Sequence, residues 1–303
     1  MTRKHVKLVR FRAASVPQAD RAKDWLKRIY NERLIRMKYT TYLIANYLIL
    51  TWANASFASQ NSCAAQSGAT QATVIELYTS EGCSSCPPAD KWLSSLKAPG
   101  NDKNGTTNGI PTGTTSGAVV QAFHVGYWDY IGWVDRFASP AHTTRQRQIA
   151  NWGGQNTIYT PQAVLNGRDW RNWGRVPTSK EPAGASISLR QVAEDQFEAT
   201  VTSLVTPNAA PGVVSGTWSA YWTVTEHGHS SKVKSGENAG EFLQHDFVVR
   251  QYTPAGDYAA DAKTPQKLVW RSIAATPGHP RQINLVVFDK KTGKTLQAVS
   301  ASC

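Results

Sequence analysis

Cys83-Ser84-Ser85-Cys86 sets two thiols three residues apart, a spacing at which a pair can open and close a disulfide. The run before it, Val74-Ile75-Glu76-Leu77-Tyr78, is apolar and β-favouring. After it, Ala89, Trp92, Leu93 and Leu96 recur at helical spacing. The pair therefore falls where a strand ends and a helix begins. The unsatisfied N–H groups and the dipole of a helix N-terminus favour a thiolate. Cys83 is thus expected to be the exposed nucleophile, and Cys86, a turn further in, the thiol that resolves a mixed disulfide. Glu81 adds negative charge nearby and opposes that activation. Two other readings stay open here. Half of a zinc site is one, although neither a second Cys pair nor a close His pair accompanies the motif; a purely structural disulfide is the other. Thiol exchange requires no cofactor, and no metal is expected.

Pro161 follows Thr160 inside a strand pattern, Thr157 to Leu165, where proline is normally excluded. A cis bond there would let the chain pass close to the cysteine pair and offer a strand edge to a partner peptide. An edge strand with an ordinary trans proline fits the same residues. Tyr159, Thr160 and Trp128 are the candidate substrate contacts. Trp128 belongs to the aromatic run Tyr127-Trp128-Asp129-Tyr130-Ile131-Gly132-Trp133, which either lines a groove beside Cys83 or caps the sheet. His124 closes a second strand candidate, Ala118 to Val125, as a proton shuttle or as a histidine satisfied at a strand end. His227 and His229 alternate on one strand face, where solvated side chains are the simpler reading than metal ligands. Gly236 to Gly240 reads as a turn.

The elements that must hold these residues are legible. Pro87 and Pro88 suit a first helical turn, where most N–H groups lack intrahelical partners. Ser139-Pro140 caps and opens a second helix, Gly153-Gly154 ends it, and Asn166-Gly167 is a hairpin turn. The order β–α–β–α–β with short connections suggests an α/β sheet domain. After Pro182 the character changes. Segments at 185–189, 197–204, 218–225, 245–252, 267–273 and 282–288 are strand-like, with turn residues between them. The expected architecture is an α/β sheet domain at 72–178 followed by a β-rich, sandwich-like second domain at 183–303, behind a leader at 1–58. Residues 59–71 read as a flexible lead-in, and 99–117 as a surface insertion of Gly, Asn and Thr.

Tyr78-Thr79-Ser80-Glu81-Gly82-Cys83-Ser84-Ser85-Cys86 is similar to the glutaredoxin pattern Y-T-x-x-G-C-x-x-C, and Thr160 to Gly167 to the proline strand of the same fold. A closer resemblance is to an exported thioredoxin-like family, domain of unknown function 1223. It is carried by Glu76 through Asp90, by Phe123-His124-Val125-Gly126 and the aromatic run, by Tyr159-Thr160-Pro161-Gln162, and by Gly236-Glu237-Asn238-Ala239-Gly240. The resemblance implies a thioredoxin-like fold, a cis Pro161 and a redox role. This sequence departs from the pattern in three places, one of them the insertion at 99–117, which is longer than the pattern leads one to expect. Arg168 to Gly184 lacks the periodicity of a closing helix. The Gly-Gly pair of glutathione-binding glutaredoxins is missing, so glutathione is not supported as cosubstrate.

The net charge of +12 belongs mostly to the leader. Residues 1–36 hold eleven Lys and Arg against three acidic residues, which leaves an ordinary balance for the rest and excludes a nucleic-acid face. Met37-Lys38, an apolar stretch to Ala53 and the small residues up to Ala58 form a secretory signal, too short for a comfortable transmembrane helix. The expected location is periplasmic or secreted, with membrane attachment only through an uncleaved leader. Export favours disulfides: a pairing of Cys63 with Cys303 would tie the chain's ends together, and two solvent-exposed tails that never meet are the other reading. The expected function is thiol–disulfide exchange with a protein or small-molecule partner. The alternative is a non-catalytic binding protein that captures a thiol, peptide or metal in the same groove.

Overall fold

Period-two alternation sets the middle of the molecule. In the strand Thr73–Thr79 every residue is buried. Val74 and Tyr78 face one core, Ile75 and Leu77 another. The structure, a computed structural model, describes residues 63–97, 118–172, 176–204, 216–260 and 264–303. In the leader it describes only Lys27 and Tyr30, both helical and exposed. The described residues from Cys63 onward pack as one unit.

The first strands are β1 (Ala64–Gln66), β2 (Thr73–Thr79), β3 (Ala118–His124), β4 (Gln162–Leu165) and β5 (Arg168–Asp169), with helices α1 (Pro87–Ser94) and α2 (Pro140–Trp152) among them. There follow β6 (Ala185–Ala193), β7 (Gln196–Ser203), β8 (Thr217–Glu226), β9 (His229–Lys232) and β10 (Phe242–His245). The chain ends with β11 (Val248–Ala259), β12 (Gln266–Arg271), β13 (Arg281–Asp289) and β14 (Thr295–Ser302). Ser139 caps α2 by accepting from the Ala141 N–H. Asn166 and Gly167 both take positive φ, as a tight hairpin between β4 and β5 requires.

Eight strands form one mixed sheet in the order β14-β13-β8-β11-β3-β2-β4-β5. β3 is parallel to β2 and to β11, and the other neighbours are antiparallel. α1 covers the Ile75/Leu77 face with Ala89 and Leu93. α2 covers the opposite face with Ile149. An antiparallel sheet, β1-β6-β7-β12, packs through Ile187, Leu189 and Phe197 on the β8 and β13 side chains Trp218, Trp222 and Leu285. There Trp222 stacks on Trp270 with ring centroids 5.3 Å apart. β9 and β10 form a separate two-stranded ribbon.

This corrects the expected fold class. The chain is mostly sheet, with two α-helices among the described residues after 60, and it contains no α/β thioredoxin-like domain followed by a separate sandwich. The physical reason is the edge of β3. β11 takes that edge, pairing Val248 with Ala122, and β8, β13 and β14 extend the sheet from there. A charged node fastens the same seam. Arg145 of α2 meets Glu76 of β2 at 2.9 Å, and Tyr78 and Tyr221 donate to that carboxylate at 2.6 and 2.9 Å.

Two smaller corrections follow. The lead-in is ordered from Cys63, with β1 paired to β6 and Thr70 bridged to Pro182. The expected strand at 157–165 begins only at Gln162. The signal at 37–58 and the insertion at 99–117 lie outside the described residues. No helix among the described residues is long and apolar enough to cross a membrane.

Candidate functional site

β2 ends at Thr79, and the chain turns back through Ser80–Cys86 into α1. The Cys83 N–H donates to Ser80 O and the Cys86 N–H to Cys83 O, both at 3.1 Å. Cys83 and Cys86 are joined in a disulfide with Cα atoms 5.4 Å apart. Cys86 is the N-cap residue of α1, and Pro87 and Pro88 fill the first turn, where a missing N–H costs nothing. Ser84 and Ser85 are exposed, whereas Cys83 and Cys86 are 1% and 0% exposed. The exposed nucleophile expected at Cys83 is thus a correction: the loop shows solvent its serines and hides its sulfurs. A second disulfide joins Cys63 to Cys303 across 240 residues of sequence.

The segment that reads as a turn is fastened to the main chain of the disulfide loop. Asn238 Nδ2 donates to Glu81 O at 2.8 Å and to Cys83 O at 3.1 Å, and Glu237 Oε2 accepts from the Ser84 N–H at 3.2 Å. Gly236 and Gly240 flank this cover at φ +78° and +93°, where a side chain would be strained. The aromatic run closes the other side. A Cβ on Gly82 would stand 3.1 Å from Trp128 Cβ, so a larger residue there would push Trp128 back by a few tenths of an ångström. Trp128 Nε1 donates to Thr160 Oγ1 at 2.7 Å, and the Thr160–Pro161 bond is cis. Disulfide loop, Trp128, Thr160 and Pro161 are therefore neighbours. Tyr159 is turned aside: its hydroxyl donates to Asp169 at 2.7 Å, and burial together with that carboxylate pushes it up to about 12.

His124 is 0% exposed and belongs to a buried acid–histidine cluster beneath the loop. His124 Nδ1 lies 2.7 Å from Asp135 Oδ2. The His124 and His245 rings meet edge to face at 4.9 Å. His245 Nε2 stands 3.2 Å from Glu81 Oε1, and Nδ1 stands 3.8 Å from Asp90 Oδ2. Burial disfavours the imidazolium of His124, but Asp135 outweighs it and holds this histidine above its ordinary value. Burial likewise opposes ionisation of Glu81, yet the polar groups of His245, Ser231 and Trp133 beside it outweigh burial and keep the carboxyl below its usual range. At Asp90 burial wins, and the carboxyl is raised. Glu81 thus turns its charge into the cluster, where Trp133 Nε1 donates to it at 2.7 Å. His227 and His229 find separate partners, Asp246 at 3.5 Å and Glu226 at 2.8 Å. No group of three metal-binding side chains occurs among the described residues.

With this geometry in view, residues 74–288 match the family described as Protein of unknown function (DUF1223). The chain belongs to that family. The DUF1223 match runs from β2 into β13, so it takes in both the disulfide loop and the Asn238 cover. Among solved structures, protein AGR_C_4864 from Agrobacterium tumefaciens is similar over 77% of this chain and 94% of that one, at TM-score 0.51 and 22% identity. That likeness concerns the fold alone. HBP35 of Porphyromonas gingivalis is similar over 77% of this chain and 76% of that one, at TM-score 0.45 and 12% identity. Comparison with curated proteins gives no match.

Sequence reasoning missed Asp135, His245 and the covering role of Asn238 in this DUF1223 chain. Asp135 and His245 carry no local signal: each is a lone polar residue in a loop or at a strand end. Asn238 did have one, because a run of Gly-x-Asn-x-Gly type favours a left-handed turn that can present a side chain amide.

Proposed function

We propose that this DUF1223 protein is an exported thiol–disulfide oxidoreductase, with Cys83 as the sulfur attacked or attacking, Cys86 as the resolving thiol and the Trp128–Thr160–Pro161 side as the partner's docking edge. The observation that carries the reading is the smallness of the ring that the Cys83–Cys86 bond closes. The two cysteines are separated by 3 in sequence, against 240 for Cys63 and Cys303. Loop-closure entropy gives about 2 kcal/mol for the small ring and about 5 kcal/mol for the large one. The large ring is the staple. The small one contributes little to stability and sits at a helix start, where a thiolate is favoured once the bond opens.

Reduced protein should turn over with a dithiol reductant and a disulfide substrate. Cys86→Ser should accumulate a mixed disulfide on Cys83, because the resolving thiol is gone, and Cys83→Ser should accumulate none. Mass spectrometry of trapped adducts reads both. Equal trapping in the two variants would remove the assigned roles. The burial of Cys83 favours a second reading, a binding protein whose disulfide never cycles. Absence of turnover by the reduced wild type, together with retained binding of a thiol or peptide, would select it.

A further inference from the structure

In the cluster beneath the disulfide, both ring nitrogens of His245 and Oε1 of Glu81 are buried without a well-aligned hydrogen bond, although His245 Nε2 and Glu81 Oε1 face each other at 3.2 Å. His245 is 2% and Glu81 0% exposed. Leaving such atoms unbonded costs about 1–3 kcal/mol apiece, so a use for them is worth seeking. Between α1 and β10 lies a cavity of about 200 Å³ whose walls include Asp90, Ser94, Phe242 and His245. His245 and Asp90 both line it, so the cavity reaches the buried cluster. Asp90 is one helical turn beyond Cys86, and its N–H donates to Cys86 O at 3.1 Å. Residues four apart on a helix share a face, so the carboxyl and the inner sulfur lie along the same buried side of α1.

We propose that His245 and Asp90, supplied through this cavity, hold and hand over the proton that Cys86 takes up when the disulfide opens. The inference rests on the redox reading of the cysteine pair. A thiolate of an external dithiol attacks Cys83 Sγ and forms a bond to it. The Cys83–Cys86 bond breaks, and its electron pair passes to Cys86 Sγ. That thiolate takes a proton from the cluster, and the cluster is reprotonated through the cavity. The second thiol of the dithiol, deprotonated, then attacks its own sulfur in the mixed disulfide and releases Cys83, which is protonated. The dithiol is oxidised by two electrons and the cysteine pair reduced by two. The charged groups facing His245 are Glu81 before the disulfide, Asp90 on α1, His124 at the end of β3, Asp135 behind His124, and its strand neighbour's His229. Glu241, Asp246 and Lys91 stand around the cavity.

The test is reduction of the full chain by dithiothreitol across pH 5–9. His245→Gln and Asp90→Asn keep side-chain size while removing a proton carrier. Both are expected to fold, by circular dichroism, to keep the disulfide, and to lose the cluster's inflection from the pH–rate profile. The rate at pH 6 should fall at least about tenfold, a modest share of the 10²–10⁴ typical of general acid catalysis. If His245→Gln does not fold, Asp90→Asn and the cavity-filling Ser94→Trp decide by the same profile. Folded variants that keep the wild-type profile overturn the proposal and leave the redox reading standing. A wild type that does not exchange with dithiothreitol at all overturns both, so the two failures are distinguishable.

Discussion

Arg145 carries a charge into a core of aromatic rings, with its guanidinium 4.6 Å from the Tyr221 ring centre and 5.0 Å from that of Phe288. Burial alone would lower its pKa; the Glu76 carboxylate outweighs this and raises it well above the ordinary value. Breaking one partner of a buried pair leaves the other uncompensated, at about 3–5 kcal/mol. Arg145→Leu should therefore lose about that much in urea denaturation, and the double variant with Glu76→Leu clearly less. Equal losses in the single and double variants would show that the pair is not the source. Little of this node could be read in advance. Glu76 is a charge inside an otherwise apolar run, and its partner lies 69 residues on, beyond any local periodicity. The cysteine pair was legible because its chemistry is local: two thiols at a strand-to-helix junction. The fastening of its loop was not, because that comes from Asn238, 155 residues away.

At the scale of elements, the cover and the staple act on the two disulfides in opposite ways. Asn238→Ala removes two hydrogen bonds to the disulfide loop, at about 1 kcal/mol each. Reduction of Cys83–Cys86 by dithiothreitol should then speed up by up to about thirtyfold, as the loop opens more readily. An unchanged rate in a folded variant would mean that this cover does not limit access. The other bridge ties the start of β1, at an edge of the four-stranded sheet, to the end of β14, at an edge of the eight-stranded one. Cys303→Ser should cost about 2–5 kcal/mol, a large part of the roughly 5–15 kcal/mol that holds a domain together. The urea midpoint measures it. A midpoint equal to wild type would mean that sheet packing alone joins the edges.

Over the whole molecule, buried histidines set how stability follows pH. His142 packs edge-on against Phe123, and its Nδ1 lies 2.8 Å from His124 O. Burial lowers it to about 4. The unfolded chain takes up a proton there near pH 6.5 while the folded chain does not. Its contribution therefore falls as pH drops from about 6.5 to about 4, by about 3 kcal/mol at 1.36 kcal/mol per unit. His124 has the opposite sign. Raised by Asp135, it contributes fully below about pH 6.5 and loses that contribution as pH rises through its folded value. Asp135, lowered in turn, contributes above the ordinary carboxylate range and loses it as pH falls through its own folded value. His142→Gln keeps a side-chain N–H and removes only the titration. The variant's urea midpoint should change less between pH 6.5 and 4 than that of wild type; an identical slope would remove His142 as the cause.

The order of residues by itself determined the local elements and their faces. The alternation in β2, the serine–proline start of α2, the Asn166-Gly167 hairpin and five of the six strand segments after Pro182 follow from side-chain period and turn chemistry; the sixth, expected at 245–252, is broken at Asp246-Phe247 between β10 and β11. The placing of two thiols at the head of a helix follows in the same way. Only the tertiary structure decided that β11 would take the edge of β3, making one eight-stranded sheet where a separate α/β domain was expected. Only it brought His245 and Asp135 under the disulfide loop. Periodicity states which side of a strand is apolar, and it is silent on which distant strand fills an open edge, because that choice depends on the fit of whole faces across more than a hundred residues.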